Sequence, residues 1–305
     1  MESPSSTFDK PTQLGYTNCV IGLFVEKGET KVTVGYDVIG DIHGSLPQLF
    51  CLLERMGYER TVDGLYRHKN RKAVFVGDLI DRGNFSFETY EFVRAMVEHE
   101  YAICVMGNHE FNAIMAYYGY RKLPINDVHY PLHREMSERP NDYKTMIEWF
   151  QTLPVCATLG NLHVIHACYD PERIDLLKAM GILTDDCRIT EGVYALYQKE
   201  KTIREPLKAI LKGTERKLPD GISFLDKDGN ERTKVRVKWW SEDDYVPNGE
   251  IAVIGHYWLK SDRPNVLSDN VACVDYSCVK GGFLCAYRYN VGDTNVSNEQ
   301  FEYLS

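Results

Sequence analysis

The chain has 305 residues, of which 44% are hydrophobic and 26% charged, and its formal net charge at pH 7 is −9. This composition is that of a globular protein, long enough for one large domain or two small ones. The negative charge and the lack of a dense Lys and Arg run argue against a nucleic-acid partner, because a polyanion would be repelled. No apolar run has the length of a membrane span, so the sequence predicts no membrane partner either.

The cysteines and the first residues bear on the compartment. The nine cysteines are scattered, odd in number and without a Cys-X-X-Cys pair, which predicts buried, reduced thiols in a cytoplasmic protein. Residues 1–16 contain Ser, Pro and Thr but no cationic region followed by an apolar core. We therefore expect a disordered tail and not a signal peptide there, with one domain over residues 17–305.

β-rich runs dominate the first third of the chain. Cys19–Val25 and Lys31–Val34 predict a hairpin. Three further apolar runs, Tyr36–Ile39, Ala73–Val76 and Ala102–Met106, each lead directly into Gly and a polar residue. This pattern is typical of buried parallel strands that end in loops. The blocks that follow the three runs are Gly40-Asp41-Ile42-His43-Gly44, Gly77-Asp78-Leu79-Ile80-Asp81-Arg82-Gly83 and Gly107-Asn108-His109-Glu110.

Helical spacing of apolar residues marks the segments after these blocks. Leu46–Met56 and Phe85–Glu98 show it and predict the crossover helices of βαβ units. Phe111–Gly119 continues the third block as another helix, and Asn141–Thr152 is amphipathic. Strands and helices that alternate in this way predict an α/β fold.

The polar residues after the three strands form a potential metal site. The carboxyl ends of parallel strands meet at one edge of a sheet, so these residues should converge. Asp41, His43, Asp78 and Asn108 combine oxygen and imidazole ligands without thiolate, a set that suits divalent Mn, Fe or Zn. A second cation about 3.5–4 Å from the first would need a bridging carboxylate, and Asp78 on the central strand is the candidate.

With GDIHG, GDLIDRG and GNHE in this order, the chain resembles the calcineurin-like metallophosphoesterases, and among them the phosphoprotein phosphatase-like subgroup. Tyr36–Glu110 is similar also to the phosphatase module of bacterial polynucleotide kinase-phosphatases and to the symmetrical diadenosine tetraphosphatases. Beyond residue 110 the resemblance is confined to short motifs. It implies a two-sheet αββα sandwich with a helical plus hairpin insertion, two divalent metal ions and phosphate ester hydrolysis.

The resemblance implies further ligands in the second half of the chain. His166 ends the run Leu162–Ala167, and His256 follows another β-rich run. Trp258 stands where many members carry one more histidine, as expected of the phosphoprotein phosphatase subgroup, and His163 is predicted to be a packed strand residue. The expected ligand sets are Asp41, His43 and Asp78 for one metal and Asp78, Asn108, His166 and His256 for the other, with Mn as the favoured ion and Fe or Zn as alternatives.

The catalytic roles follow from the residue types within these motifs. A water between two cations has a lowered pKa and can attack the phosphorus in line as hydroxide. His109, beside a ligand, is expected to protonate the leaving group, and Asp81 to orient its imidazole. Arg82 offers a planar fork for phosphate oxygens, together with Asn108. The alternative for Asp81 and Arg82 is a local ion pair that braces the loop.

An insertion over about residues 170–245 carries no family motif and is expected to cap the site. It is helical in pattern to about Gly213, and then Ile222–Leu225 and Thr233–Trp239 predict a hairpin around Asp226–Asn230. The second of these strands alternates basic and apolar residues, so its basic face is either a solvated sheet edge or a stripe that faces phosphate. The basic residues are Lys234, Arg236 and Lys238.

Two histidines and the end of the chain remain to be placed. His129 and His133 flank Pro131, so a loop or substrate-rim position is expected and not a helical metal-ligand pair. Val271–Asp275 and Gly282–Tyr289 predict a terminal hairpin. Within it, the carboxylate of Asp275 either orients a ligand histidine or belongs to a turn.

Three functions were compared. The first is hydrolysis of phosphate monoesters, with a phosphorylated protein or a small phosphorylated molecule as substrate. The alternative is a dinucleoside polyphosphate hydrolase for diadenosine tetraphosphate, in which the cap would stack a base on Trp239, Trp240, Tyr245 or Trp258. A non-catalytic binding module is disfavoured, because every ligand type and the acid group are retained. The sequence is silent on the oligomeric state.

Overall fold

The computed structural model describes residues 23–26, 29–124, 126, 128–225, 231–241, 246–247 and 249–304. The predicted tail and the turn at 226–230 lie outside the described residues, as does Tyr245. Within the described ranges, no helix is both long and apolar enough to cross a membrane.

Strands and helices alternate along the described chain. The strands are β1 (Leu23–Glu26), β2 (Glu29–Val32), β3 (Gly35–Ile39), β4 (Glu59–Arg60), β5 (Tyr66–Arg67), β6 (Arg71–Phe75), β7 (Ala102–Cys104), β8 (Cys156–Leu159), β9 (Leu162–Ile165), β10 (Glu215–Lys217), β11 (Phe224–Leu225), β12 (Glu231–Arg232), β13 (Lys234–Arg236), β14 (Ile251–Ile254), β15 (Val271–Cys273), β16 (Asp275–Tyr276), β17 (Phe283–Asn290) and β18 (Phe301–Tyr303). The α-helices are α1 (Leu46–Arg55), α2 (Ser86–Glu98), α3 (Asn108–Tyr117), α4 (Tyr130–Glu138), α5 (Pro140–Phe150), α6 (Pro171–Ala179), α7 (Val193–Lys199) and α8 (Lys201–Lys212).

Two mixed sheets form the framework. In the described chain the larger has six strands in the order β16-β17-β3-β6-β7, with β18 also paired to β17. The smaller has four, in the order β15-β14-β9-β8. β3, β6 and β7 are parallel, as are β9, β14 and β15. Each sheet therefore gathers several strand ends at one edge, where ligands of open α/β sheets collect.

The buried side chains of the strands fall into two clusters, one between the two sheets and one between the sheets and the helices. Val38 and Val74 of the larger sheet share a buried cluster with Val164 of the smaller sheet. The neighbouring Ile39 and Phe75 belong to a second cluster with the helices. Because successive side chains point to opposite faces, each sheet packs on the other sheet with one face and on helices with the other. The expected two-sheet αββα sandwich is confirmed.

The crossover helices form where the apolar spacing predicted them. α1 lies in the connection from β3 to β6 and buries Leu49, Leu52 and Leu53 on one face. α2 leads from β6 to β7 and buries Phe87 and Val93. The early hairpin is also confirmed, since β1 and β2 pair antiparallel.

Two predicted hairpins and one predicted loop differ from the structure. The terminal hairpin consists of β16 and β17 only, while β15 pairs with β14 in the other sheet. In the insertion, β12 completes the hairpin with β11, but β13 pairs with β10. The segment of His133 is helical (α4), because Pro131 falls in the first turn, where a missing N–H costs nothing.

Candidate metal centre

Five strand ends bring buried polar side chains to one place. Asp41 and His43 follow β3, Asp78 follows β6, and Asn108 begins α3 after β7. His166 and His256 come directly after β9 and β14 of the other sheet. Every one of these predicted ligands is buried. The sandwich thus collects donors from both sheets, although they are up to 215 residues apart in sequence.

The carboxylate of Asp78 lies in the middle of the donors. Its Oδ2 is 3.5 Å from His43 Nε2, and its Oδ1 is 3.4 Å from His166 Nε2. Asn108 Oδ1 lies 3.3 Å from the same His166 nitrogen. Asp78 therefore faces one imidazole with each oxygen, which is the arrangement that a bridging carboxylate requires.

Possible metal-binding groups within the described residues overlap at Asp78 and His109. Their ligand atoms lie within 4.8 Å of one another, and the groups are His43, Asp78 and His109; Asp78, His166 and His256; and Asp81, His109 and His129.

Asp41 falls outside these three groups. Both of its carboxylate oxygens accept the backbone N–H of His256 at 3.2 Å. A side chain at Gly255 would collide with this carboxylate, so the close approach of the two strand ends requires glycine there.

Backbone carbonyls set the orientation of two imidazoles. Nδ1–H of His43 donates to Ile80 O and Nδ1–H of His166 donates to Val76 O, both at 2.8 Å. In each ring, Nε2 is left with a lone pair that points towards the donor cluster. Nε2 of His43 and Nε2 of His256 are buried without a hydrogen-bond partner in the described structure. Unsatisfied, inward-facing nitrogens of this kind fit metal ligands.

The electrostatics fit cations at the same place. Burial, and then the charges of Asp275 and Asp78, raises the pKa of Asp41 well above its ordinary value. Burial, and then the charge of His109, lowers the pKa of His43 to about 3. The site thus combines crowded, buried carboxylates with imidazoles whose pKa is lowered at His43 and His256. Divalent cations would relieve the repulsion between the carboxylates and accept the free imidazole lone pairs.

The loops that carry the donors adopt an unusual backbone. Several non-glycine residues have a left-handed φ, which is costly for residues with a Cβ and clusters at functional sites. The values are 46° for His43, 52° for Asp78, 71° for Asp81, 69° for Arg82 and 72° for His256.

Glu110 fastens two of these loops together. Its carboxylate accepts the N–H groups of Asp78 at 2.8 Å, Leu79 at 2.9 Å and Gly107 at 3.0 Å. Burial, and then the charge of Asp78, raises the pKa of Glu110 to about 7. The sequence analysis gave it no role, although the position of a Glu in the first turn of α3 signals a cap of this kind.

His109 is held beside the donors by Asp81. Its Nδ1–H donates to Asp81 Oδ2 at 2.5 Å, and its Nε2 is 3.8 Å from Asp78 Oδ2. Burial alone would lower the pKa of His109, but the charge of Asp78 and the bond to Asp81 outweigh it and raise this pKa. The protonated imidazole therefore persists above its ordinary pKa, as a proton donor near neutral pH requires.

Arg82 does not pair with Asp81 in the described structure. Its guanidinium lies 4.3 Å from the ring centroid of Trp258, and in the part of the chain that the structure describes its buried Nε has no hydrogen-bond partner. The Asp81 carboxylate is instead bonded to two imidazoles. The alternative of a local Asp81–Arg82 brace is therefore not what these residues form.

His129 is the second imidazole on Asp81, which the sequence analysis missed. Its Nδ1–H donates to Asp81 Oδ2 at 2.8 Å, and the side chain is 8% exposed. The peptide N–H of Arg82 also donates to Val128 O at 2.7 Å, so the loop before α4 folds back onto the second motif. Nothing in the local sequence signals this contact, because it depends on the path of that loop.

We expect His129→Asn to lower kcat by roughly 3- to 10-fold, the equivalent of one hydrogen bond that orients Asp81. Metal content should stay unchanged, as measured by elemental analysis. His133→Asn is the matched control, because the His133 ring contacts only Pro124 O in the described structure, at 3.2 Å. Equal effects of the two substitutions would contradict the role of His129.

Other predicted residues have structural partners. His163 packs as expected, with Nε2 2.9 Å from Glu250 Oε2. Asp275 accepts the backbone N–H of Trp258 at 2.7 Å and that of Ser277 at 3.0 Å, so it anchors a loop and does not orient a histidine. Trp239 is fully buried and cannot stack a base, which corrects one part of the nucleotide-binding hypothesis.

The basic face of β13 reaches the centre through Arg236. Its guanidinium lies 5.4 Å from the ring centroid of Tyr257. Burial, and then the charge of Arg236, lowers the pKa of His256 well below its ordinary value. Lys234 instead lines a cavity between α8 and β10 with Arg173 and Glu215.

A two-sheet α/β sandwich with this donor set at its strand ends defines a metal-dependent phosphoesterase. Residues 36–283 match the family model described as calcineurin-like phosphoesterase, and the chain belongs to this family. The protein is thus a metal-binding hydrolase by family. The resemblance predicted from the three motifs is confirmed.

Two relatives align over most of the chain. An asymmetrical bis(5'-nucleosyl)-tetraphosphatase of Oceanobacillus iheyensis is 35% identical over 264 residues, which cover 83% of this chain and 88% of the relative. A symmetrical bis(5'-nucleosyl)-tetraphosphatase of Pseudomonas putida is 26% identical over 275 residues, which cover 84% of this chain and 90% of the relative.

Solved structures of two phosphatases share the fold. A Ser/Thr protein phosphatase of Saccharomyces cerevisiae matches with a TM-score of 0.55 at 14% identity, over 89% of this chain and 79% of that one. A cold-active protein-tyrosine phosphatase of a psychrophilic Shewanella matches with a TM-score of 0.51 at 19% identity, over 89% and 80%. At such identities the likeness concerns the fold alone.

Proposed function

We propose that the protein hydrolyses dinucleoside polyphosphates of the bis(5'-nucleosyl) tetraphosphate type. The observation that carries this proposal is the relative of that name with 35% identity over 83% of the chain. From the sequence motifs alone, phosphate monoesters are the first expected substrate and dinucleoside polyphosphates the second. The relatives favour the reverse order, since the protein phosphatases in the comparison share only the fold.

The residues that would hold two divalent cations come from both sheets. When bound, such cations neutralise charge on phosphoryl oxygens and lower the pKa of a shared water towards neutrality. Mn is our preferred ion, with Fe and Zn as alternatives, because the donors are oxygen and imidazole. The proposed ligands are Asp41, His43 and Asp78 for one ion and Asp78, Asn108, His166 and His256 for the other.

His109 is proposed to donate from Nε2 to the departing oxygen. It would hydrogen-bond the phosphate oxygen that leaves from a dinucleoside polyphosphate, and transfer its proton where the leaving oxygen is a basic alkoxide. Its Nδ1–H is engaged by Asp81, so Nε2 is the nitrogen that is free to donate. The same bond orients the ring and stabilises its charged form. Asp81 Oδ2 also accepts the Nδ1–H of His129, and this second bond helps to hold the carboxylate in place.

Arg82 is proposed to bind the phosphate that is attacked. Its buried Nε lacks a hydrogen-bond partner among the described residues, and the ring of Trp258 supports the guanidinium plane. A guanidinium offers two parallel N–H groups to two phosphate oxygens, which a lysine cannot do. Asn108 presents its amide next to the same centre.

A substrate panel tests the proposal. Metal-depleted protein is reloaded with Mn, Fe or Zn and offered diadenosine tetraphosphate, a phosphoserine peptide and p-nitrophenyl phosphate. We expect kcat/KM for diadenosine tetraphosphate to exceed that for the phosphopeptide by roughly tenfold or more, about 1.4 kcal/mol. A higher kcat/KM for the phosphopeptide would overturn the proposal and restore the monoesterase alternative. Product analysis separates cleavage into two ADP from cleavage into AMP and ATP.

A further inference from the structure

A lysine of the insertion lies beside the metal donors. Lys212 is the last residue of α8, and its Nζ donates to Asn112 Oδ1 at 3.1 Å. Asn112 is 7% exposed and lies about one helical turn after the ligand Asn108 on α3. Helices α3 and α8 therefore hold this ammonium group near the centre.

Within the described residues, Lys212 has no carboxylate at ion-pair distance, and Asn112 is its one hydrogen-bond partner. Lys208, one turn earlier on the same helix, differs, because its Nζ is 2.8 Å from Glu215 Oε2. Burial, and then the charge of Arg121, lowers the pKa of Lys212 to about 8, against the opposing effect of Asp78. Among the described residues, the ammonium group thus has no carboxylate bonded to it.

The ammonium group of Lys212 interacts electrostatically with the donor cluster. Its charge acts on Asp78 and on His256, which both belong to that cluster. Arg121 acts on the ammonium from another side. In a chain with net charge −9, this placement puts an ammonium group beside a cluster of buried carboxylates and imidazoles, where an anionic substrate would bind.

We propose that Lys212 binds the phosphate adjacent to the one that is attacked, and so selects phosphoanhydrides over monoesters. The inference rests on the proposed function and deepens it. A monoester presents one phosphate, which the centre and Arg82 would occupy. A polyphosphate presents a second anionic group one bridging oxygen away. Of the three donors of an ammonium, one is used by Asn112, which leaves two for phosphate oxygens.

Kinetics of Lys212→Met test this role. We expect kcat/KM for diadenosine tetraphosphate to fall roughly 10- to 100-fold, the effect of one hydrogen bond to a charged group. The loss on p-nitrophenyl phosphate should stay below about threefold. Lys212→Gln repeats the test in case the methionine variant fails to fold. Lys201→Met is the matched control, because Lys201 is exposed in the first turn of the same helix.

A binding measurement separates this inference from the proposed function. Calorimetry on the Mn-loaded protein would compare orthophosphate with imidodiphosphate, which presents two adjacent phosphates and whose P–N–P link resists hydrolysis. Lys212→Met should weaken imidodiphosphate binding about tenfold and leave orthophosphate binding unchanged. Unchanged imidodiphosphate binding, or equal losses on both kinetic substrates, would overturn the role of Lys212 whatever the natural substrate is. A wild-type preference for the phosphopeptide would overturn the proposed function, while the imidodiphosphate result would still decide on Lys212.

Discussion

Asp78→Asn is expected to lose hydrolytic activity by roughly 10³-fold or more, about 4 kcal/mol, and to bind less metal at both positions. The reason is the central place of this carboxylate, which faces His43 with one oxygen and His166 with the other. An amide keeps the shape of the side chain but supplies one neutral oxygen. It can still accept the backbone N–H of His109, which Asp78 Oδ1 accepts at 2.9 Å. Folding should therefore survive.

The metal content, by elemental analysis, and kcat are measured on the same preparations of each variant. Asp41→Asn is the informative comparison, because Asp41 lies outside the groups that share Asp78. It should reduce metal at one position and retain the other. Full metal content in Asp78→Asn would show that this carboxylate does not bridge, even if activity were lost.

His109→Asn is expected to lower kcat by roughly 10²- to 10⁴-fold on a substrate that needs a proton at its leaving group. A serine phosphate leaves as a strongly basic alkoxide and should suffer most. p-Nitrophenolate is a stable leaving group without the proton, and so is a nucleoside phosphate, because the pKa of its phosphate is about 6. The kcat for substrates with these two leaving groups should fall far less. Metal content should not change, since His109 is proposed as an acid and not as a ligand.

The measurement is kcat for the three leaving groups with wild type, His109→Asn and Asp81→Asn. Asp81→Asn should show the same bias in weaker form, because an amide oxygen can still accept the Nδ1–H bond that orients the ring but lacks the negative charge that keeps the ring protonated. Uniform losses on all substrates, or a variant that arrives without one of its metals, would mean that His109 is not the general acid. Loss of a metal would identify it as a ligand, in keeping with its place beside His43 and Asp78.

The contrast between the two histidines on Asp81 shows the range of sequence reasoning. His109 could be assigned a role because it stands next to a ligand within a short motif. His129 could not, because its position relative to Asp81 depends on a loop whose backbone folds back onto Arg82. The basic residues of the insertion differ in the same way. Arg236 and Lys212 reach the centre, whereas Lys234 lines a separate cavity.

By itself, the sequence determined the strand ends, the crossover helices and the candidate ligands. These features depend on local rules: the period of apolar residues, glycine after a strand, and donor types that follow it. Only the tertiary structure decided which sheet β15 joins, that Trp239 is buried, and which cations face the donors. These outcomes arise from contacts between residues far apart in the chain, whose free energies depend on packing and loop path and leave no periodic trace in the sequence.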